Sequence, residues 1–146
     1  MISSVIASAK AKNIPVAVDP KKTNFLNYKG VTLFKPNLKE LKEGLGIEIK
    51  SSNLNSLRAA SEILHKKYDI NTVMVTLSDE GIFISRSAEK DSPEQHHLPA
   101  HRRNIADVSG AGDTVISVAA LCLACNLDPV KTAALCNLAG GLVCEE

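Results

Sequence analysis

The chain has 146 residues, 45% of them hydrophobic, and 17 basic against 16 acidic side chains leave a net charge of +1. That is long enough for a domain with its own core and too apolar for a disordered chain. The even charge balance and the 3% aromatic content argue against a general field for nucleic acid or acidic membrane, and against base-stacking platforms.

Residues 2–13 have a helical pattern, with Val5, Ile6 and Ala9 on one face. Pro15 breaks that run, and Val16 to Val18 reads as a short buried strand ending at Asp19. Asp19-Pro20-Lys21 is apt for a turn at a strand end, and Lys21 is a candidate for a phosphate on a substrate. Val31 to Phe34 is a second β-like run. A helix is expected from Asn37, with Asn37 as N-cap and Glu40 three residues on as its capping-box partner, ended by Gly44 and Gly46. Asn53 to Tyr68 predicts a stronger helix, since Leu54, Leu57, Ala60, Ser61 and Leu64 recur at its period.

Thr72 to Leu77 predicts a buried strand, Ser78 to Gly81 a turn, and Ile82 to Ile84 a hairpin partner. Lys90 to Gln95 reads as a loop and His96 to Pro99 as an edge strand. His96, His97 and His101 lie near Asp91 and Glu94 without metal-ligand spacing, so a surface loop is expected there. Two helices close the chain, one from Ala111 to Cys125 and one capped by Asp128 with Pro129 in its first turn. Cys122, Cys125, Cys136 and Cys144 fall in apolar helical sequence and read as small buried hydrophobes, which suits a reducing cytoplasm. No apolar run of about 18 residues suggests a membrane span. Helices alternating with buried strands predict an α/β layered sheet with its ligand site at the strand ends.

The segment Asp107-Val-Ser-Gly-Ala-Gly-Asp113 carries the chemistry. Gly110 and Gly112 let successive N–H groups converge, and the apolar run from Thr114 to Leu123 predicts a buried helix behind them. The unpaired N–H groups of that helix start, together with its dipole, favour an anion. Asp113 beside them stabilises the helix end and is also placed to take a proton from a substrate hydroxyl. No lysine follows Gly112, so this is not a Walker loop.

This string resembles the second signature of the ribokinase-like (PfkB) carbohydrate kinases, with Val108 in place of a usual threonine. Lys35-Pro-Asn-Leu-Lys-Glu40 is similar to the Asn-x-x-Glu motif of the same family, and Thr76-Leu-Ser-Asp-Glu-Gly81 to its nucleotide-side turn, with Ser78 in place of a glycine. The resemblance implies a ribokinase-like layered α/β/α fold, ATP and Mg2+ as cofactors, and a sugar substrate. It implies Asp113 as base, with Gly110, Ala111 and Gly112 as the anion hole. It further implies Asn37 and Glu40 around magnesium, and Thr76, Gly81, Arg103 and Asn137 around the nucleotide. Asp19 and Lys21 would then face the sugar phosphate.

The strings VAVDPKKTNFLNYKGVTLFKPNLKEL, HLPAHRRNIADVSGAGDTVISV and NLAGGLVCEE resemble one branch of the family, the heptose-7-phosphate kinases. Those kinases are longer, which implies that residues 1–146 are a single partial domain, the C-terminal, nucleotide-binding half. Two alternatives stay open: a truncated nucleotide-binding module without catalysis, and a related kinase of another sugar or nucleoside. A homodimer is compatible with the sequence, which does not give the oligomeric state.

Overall fold

The computed structural model describes residues 1–88, 92–100 and 110–144. In chain order they form α1 (Ile2–Ala11), β1 (Ala17–Val18), β2 (Leu33–Phe34), α2 (Leu38–Leu45), α3 (Leu54–Tyr68), β3 (Thr72–Thr76), β4 (Ile82–Arg86), β5 (Glu94–Leu98), α4 (Ala111–Ala124) and α5 (Pro129–Val143). The strands make one sheet in the order β1-β2-β3-β4-β5. The first three run parallel, and β4 and β5 join antiparallel.

The three-layer arrangement follows from the two-residue period of a strand, which sends neighbouring side chains to opposite faces. Phe34, Val73, Val75 and Phe83 pack with Leu41, Leu57, Ala60 and Leu64 of α2 and α3 on one face. Their neighbours Leu33, Met74, Ile82 and Ile84 pack with Val115, Ala119, Ala133 and Cys136 of α4 and α5 on the other. The central strands are therefore apolar on both faces, through Val73-Met74-Val75 in β3 and Ile82-Phe83-Ile84 in β4, as expected for a sheet covered on both sides.

Local signals end the elements where the chain turns. Asn37 Oδ1 accepts the Glu40 N–H at 2.8 Å and Glu40 Oε2 accepts the Asn37 N–H at 2.8 Å, so both halves of the expected capping box are present. Gly46, at φ +65°, terminates α2. Gly44 does not terminate it: it lies inside the helix, where an added Cβ would fall 2.2 Å from the Phe25 ring. Its role is to let Phe25 lie flat on α2. Asp128 accepts the N–H groups of Val130 and Lys131 at 2.7 and 3.1 Å, and these bonds hold its carboxyl below the usual carboxylate range.

Three further expectations are corrected. Glu94 and Gln95 belong to β5 rather than to a loop, because all five residues Glu94–Leu98 pair with β4. The run from Thr114 to Leu123 is not a buried helix. Only Val115, Ala119 and Cys122 of α4 are buried, and Leu121 is 67% exposed. An all-apolar sequence carries no phase, so it could not say which face meets the sheet. Among the cysteines, Cys122 and Cys136 are buried as expected, whereas Cys125 is exposed and Cys144 half-buried. Burial pushes the Cys136 thiol up to about 12.

Candidate functional site

The parallel strands end side by side, and the polar residues that follow them collect at one edge. Beyond β2 the chain stays in register with β3: Thr76 N–H donates to Pro36 O at 3.1 Å, and Asn37 pairs with Thr76 as a parallel bridge. This places the capping box of α2 against the end of β3. The next turn, Ser78–Glu80, is closed by Leu77 N–H to Gly81 O at 2.8 Å. Ser78 occupies the left-handed region at φ +56°, the conformation a glycine would adopt without cost. Gly81 has φ +95°, and a Cβ there would lie 2.0 Å from the Leu98 carbonyl oxygen. The requirement for glycine at 81 is therefore the crossing of β5 behind the turn.

Opposite stands the start of α4. Gly110, at φ +80°, is its N-cap, and among the described residues no atom beyond its chain neighbours lies within 4 Å of where its Cβ would be. Ala111 and Gly112 follow in the first turn. Asp113 is exposed, with its backbone carbonyl accepting the Ser117 hydroxyl at 2.7 Å. Among the described residues the bend is therefore open, and its acid is not sealed in the core.

Between these walls lies a cleft of about 1060 Å³. Asn37, Thr76 and Gly81 line it on one side, and Ala111, Gly112 and Asn137 on the other. Asn137 Nδ2 also donates to Pro99 O at 2.8 Å, which ties α5 to the end of β5. That bond supplies the partner a polar side chain on an apolar helix needs. Glu40 is half-buried behind the cleft wall, one carboxylate oxygen engaged by Asn37. Asp19 and Lys21 are not among the lining residues. The Asp19 carboxylate lies 3.2 Å from Lys35 Nζ and 3.5 Å from Lys21 Nζ. Arg103 and Asp107 lie outside the described residues.

Several cleft residues were not anticipated. Gly140 and Gly141 thin the α5 wall, and a Cβ at Gly140 would fall 2.9 Å from Val115 of α4. Cys144 closes the same end. Lys35, 3% exposed, sits behind Gly112. Its signal was available: a charged residue locked between a fully buried strand and a proline has no turn with which to swing outward.

A family model described as pfkB family carbohydrate kinase matches residues 1–146. The chain belongs to this family. Membership of a carbohydrate kinase family implies the use of ATP. The bifunctional protein HldE of Syntrophotalea carbinolica is 43% identical over 143 residues, which cover 98% of this chain and 28% of that protein. HldE of Vibrio parahaemolyticus is 38% identical over 142 residues, 97% of this chain and 28% of its own length. The chain thus spans less than a third of the curated relatives it matches. Phosphofructokinase-2 from Escherichia coli, solved in complex with substrates and products, superposes with a TM-score of 0.83 at 20% identity, over 99% of this chain and 47% of that one. Ribokinase from Cryptococcus neoformans, in complex with ADP, gives 0.78 at 19% identity, over 99% and 53%. These likenesses establish the ribokinase-like layered α/β/α fold. No helix among the described residues is long and apolar enough to cross a membrane.

Proposed function

We propose that this pfkB-family chain is one partial domain, the nucleotide-binding and catalytic-base half of a cytoplasmic sugar-phosphate kinase that transfers the terminal phosphate of ATP. The observation that carries the reading is the cleft itself. Ala111 and Gly112 in the first turn of α4 face the Thr76–Gly81 turn across a space large enough for a nucleotide, and the exposed Asp113 follows Gly112 in that turn without itself lining the space. Thr76, Gly81 and Asn137 would neighbour the nucleotide, with Arg103 beside its phosphates. The N–H groups of Gly110, Ala111 and Gly112 would hold the terminal phosphate.

Asp113 takes the proton of the sugar hydroxyl. That oxygen bonds to the terminal phosphorus as the bond from phosphorus to the bridging oxygen breaks, and ADP leaves with the electron pair. Among the described residues no group of three or more metal-ligating side chains converges. A site built from Asn37, one carboxylate from Glu40, and the nucleotide's own phosphates and waters is what magnesium prefers. Glu40 Oε1 is the atom for that role, since Oε2 serves the helix cap. When bound, magnesium neutralises phosphate charge.

For the acceptor, the likeness to HldE proteins and the resemblance to heptose-7-phosphate kinases support heptose 7-phosphate, giving the 1,7-bisphosphate, with Asp19 and Lys21 toward its phosphate. The test is ATP-dependent phosphorylation of heptose 7-phosphate against fructose 6-phosphate and ribose, followed by phosphorus NMR, in a protein that contains this chain. A new anomeric phosphate on the heptose is expected. Turnover only on another sugar would reassign the substrate. Nucleotide binding without transfer to any sugar would favour the non-catalytic module.

A further inference from the structure

The turn between β3 and β4 is strained, and it is held in that state from outside. Ser78, Asp79 and Glu80 are exposed and line the cleft. Ser78 keeps φ +56° although it carries a Cβ. A short exposed turn relaxes such strain unless its surroundings over-determine it. Here they do. A carbonyl can only accept, so His97 Nε2–H of β5 donates to Glu80 O at 2.8 Å. The Glu80 carboxylate accepts the Ser51 hydroxyl from the loop before α3. Behind the turn, the backbone of Leu98 to Ala100 leaves no room for a Cβ on Gly81.

Two of these ties come from one stretch, His97–Ala100. The same stretch is fixed to the far wall of the cleft, because Asn137 Nδ2 donates to Pro99 O at 2.8 Å. The end of β5 thus joins the nucleotide-side turn to α5. His97 itself does not line the cleft, and its side chain is exposed on what is, among the described residues, the edge strand of the sheet. An exposed edge residue contributes little by packing, so the bond to Glu80 is what this position supplies. The Ser51 bond acts only on a flexible side chain, whereas the His97 bond acts on the backbone of the turn.

We propose that His97 is a positioning residue for the nucleotide: its bond to Glu80 O holds the Ser78–Glu80 turn in its strained shape, so that the cleft wall is pre-organised before ATP arrives. This rests on the kinase reading of the cleft. Without the bond, Ser78 is free to leave the left-handed region, and the apparent affinity falls with the fraction of molecules that keep the binding shape. A glycine at 78 has no strain to release and needs no such hold. A histidine that served the fold alone would act the same whichever residue stood at 78.

The experiment measures ATP affinity by calorimetry in a protein that contains this chain, with His97→Phe made both in the wild-type and in the Ser78→Gly background. Phenylalanine suits a strand, so the change removes the donor and keeps the element. With Ser78 in place, ATP should bind about fivefold more weakly, the size expected of one hydrogen bond. In the Ser78→Gly background the loss should be less than about twofold, because the two positions are coupled. His97→Gln, whose amide still donates, should keep the wild-type affinity. An equal loss in both backgrounds, no loss with Ser78 in place, or a loss in His97→Gln as large as in His97→Phe overturns the proposal and leaves the kinase reading intact. Absence of ATP binding by the wild-type protein removes the kinase reading, and this proposal with it. Should His97→Phe not fold, as judged by circular dichroism, His97→Ala takes its place in both backgrounds with the same outcomes.

Discussion

The two faces of the sheet are built to different standards. On the α2–α3 face, Phe34, Leu41, Leu57 and Leu64 are wholly or almost wholly buried, and Phe34 stacks edge-on with Phe25 at 5.0 Å. Helices there are ended by a capping box and by left-handed residues, Gly46 and Asp69. On the α4–α5 face the sheet contributes large enclosed residues, Leu33, Met74 and Ile84, but the helices themselves enclose only small ones such as Ala119, Ala133 and Cys136, while Leu121, Leu135 and Leu142 remain open. The first face holds the fold. The second presents the turn and the thin helix walls that a ligand can approach, and thin walls require small residues.

The sharpest way to break this contrast is to truncate one large side chain of the first face and one on the open side of α4. Phe34→Ala should cost about 3–5 kcal/mol, and Leu121→Ala no more than about 0.5 kcal/mol, by chemical denaturation. Similar losses at both positions would mean that α4 is as closed on its outer side as the first face is.

A smaller effect is expected from His65, which joins α3 to the sheet on the well-packed face. A carbonyl can only accept, so His65 Nδ1–H donates to Ile70 O at 2.7 Å. Nε2 then accepts the Ser85 hydroxyl at 2.8 Å, and Gln95 Nε2 donates to the same Ser85 oxygen at 3.3 Å. Desolvation lowers the His65 pKa from 6.5, although its bond to Ile70 and nearby Glu62 oppose the shift. The unfolded chain therefore binds this proton more readily than the folded one. Stability from this group is complete above pH 6.5 and falls as pH drops through the lowered folded value. Melting curves from pH 8 to 5 should show the decline, and His65→Gln should flatten it. An identical slope in the variant would place the pH dependence elsewhere.

The smallest change expected is a gain. Ser78 holds φ +56° at the cleft-side turn, a conformation that costs a residue with a Cβ about 1 kcal/mol. Ser78→Gly should raise the melting temperature by about 2–4 °C. A decrease would show that the serine side chain repays its strain.

Much of this was legible in the chain. The capping box, the hairpin, the Asp128 cap and the alternation that makes three layers are local or periodic signals, read directly from Asn37 and Glu40, Thr72 to Ile84, and Pro129. What escaped reading depends on distant partners. Gly44 looked like a helix end and is a seat for Phe25; α4 looked buried and is half open; Lys35 looked like a residue after a strand and lies behind Gly112. In the site, the glycine turn and Asp113 announced themselves by composition. Gly140 and Gly141 did not, because glycines inside a helix acquire meaning only when the opposing wall is known.

On this reading the exposed acid of the α4 turn is the base for phosphoryl transfer. Asp113→Asn, made in an active kinase that contains this chain, tests it most directly through paired measurements of turnover and nucleotide affinity. With Asp113 as base, kcat falls by about 10²–10⁴-fold while ATP still binds. Full turnover in the variant would contradict it.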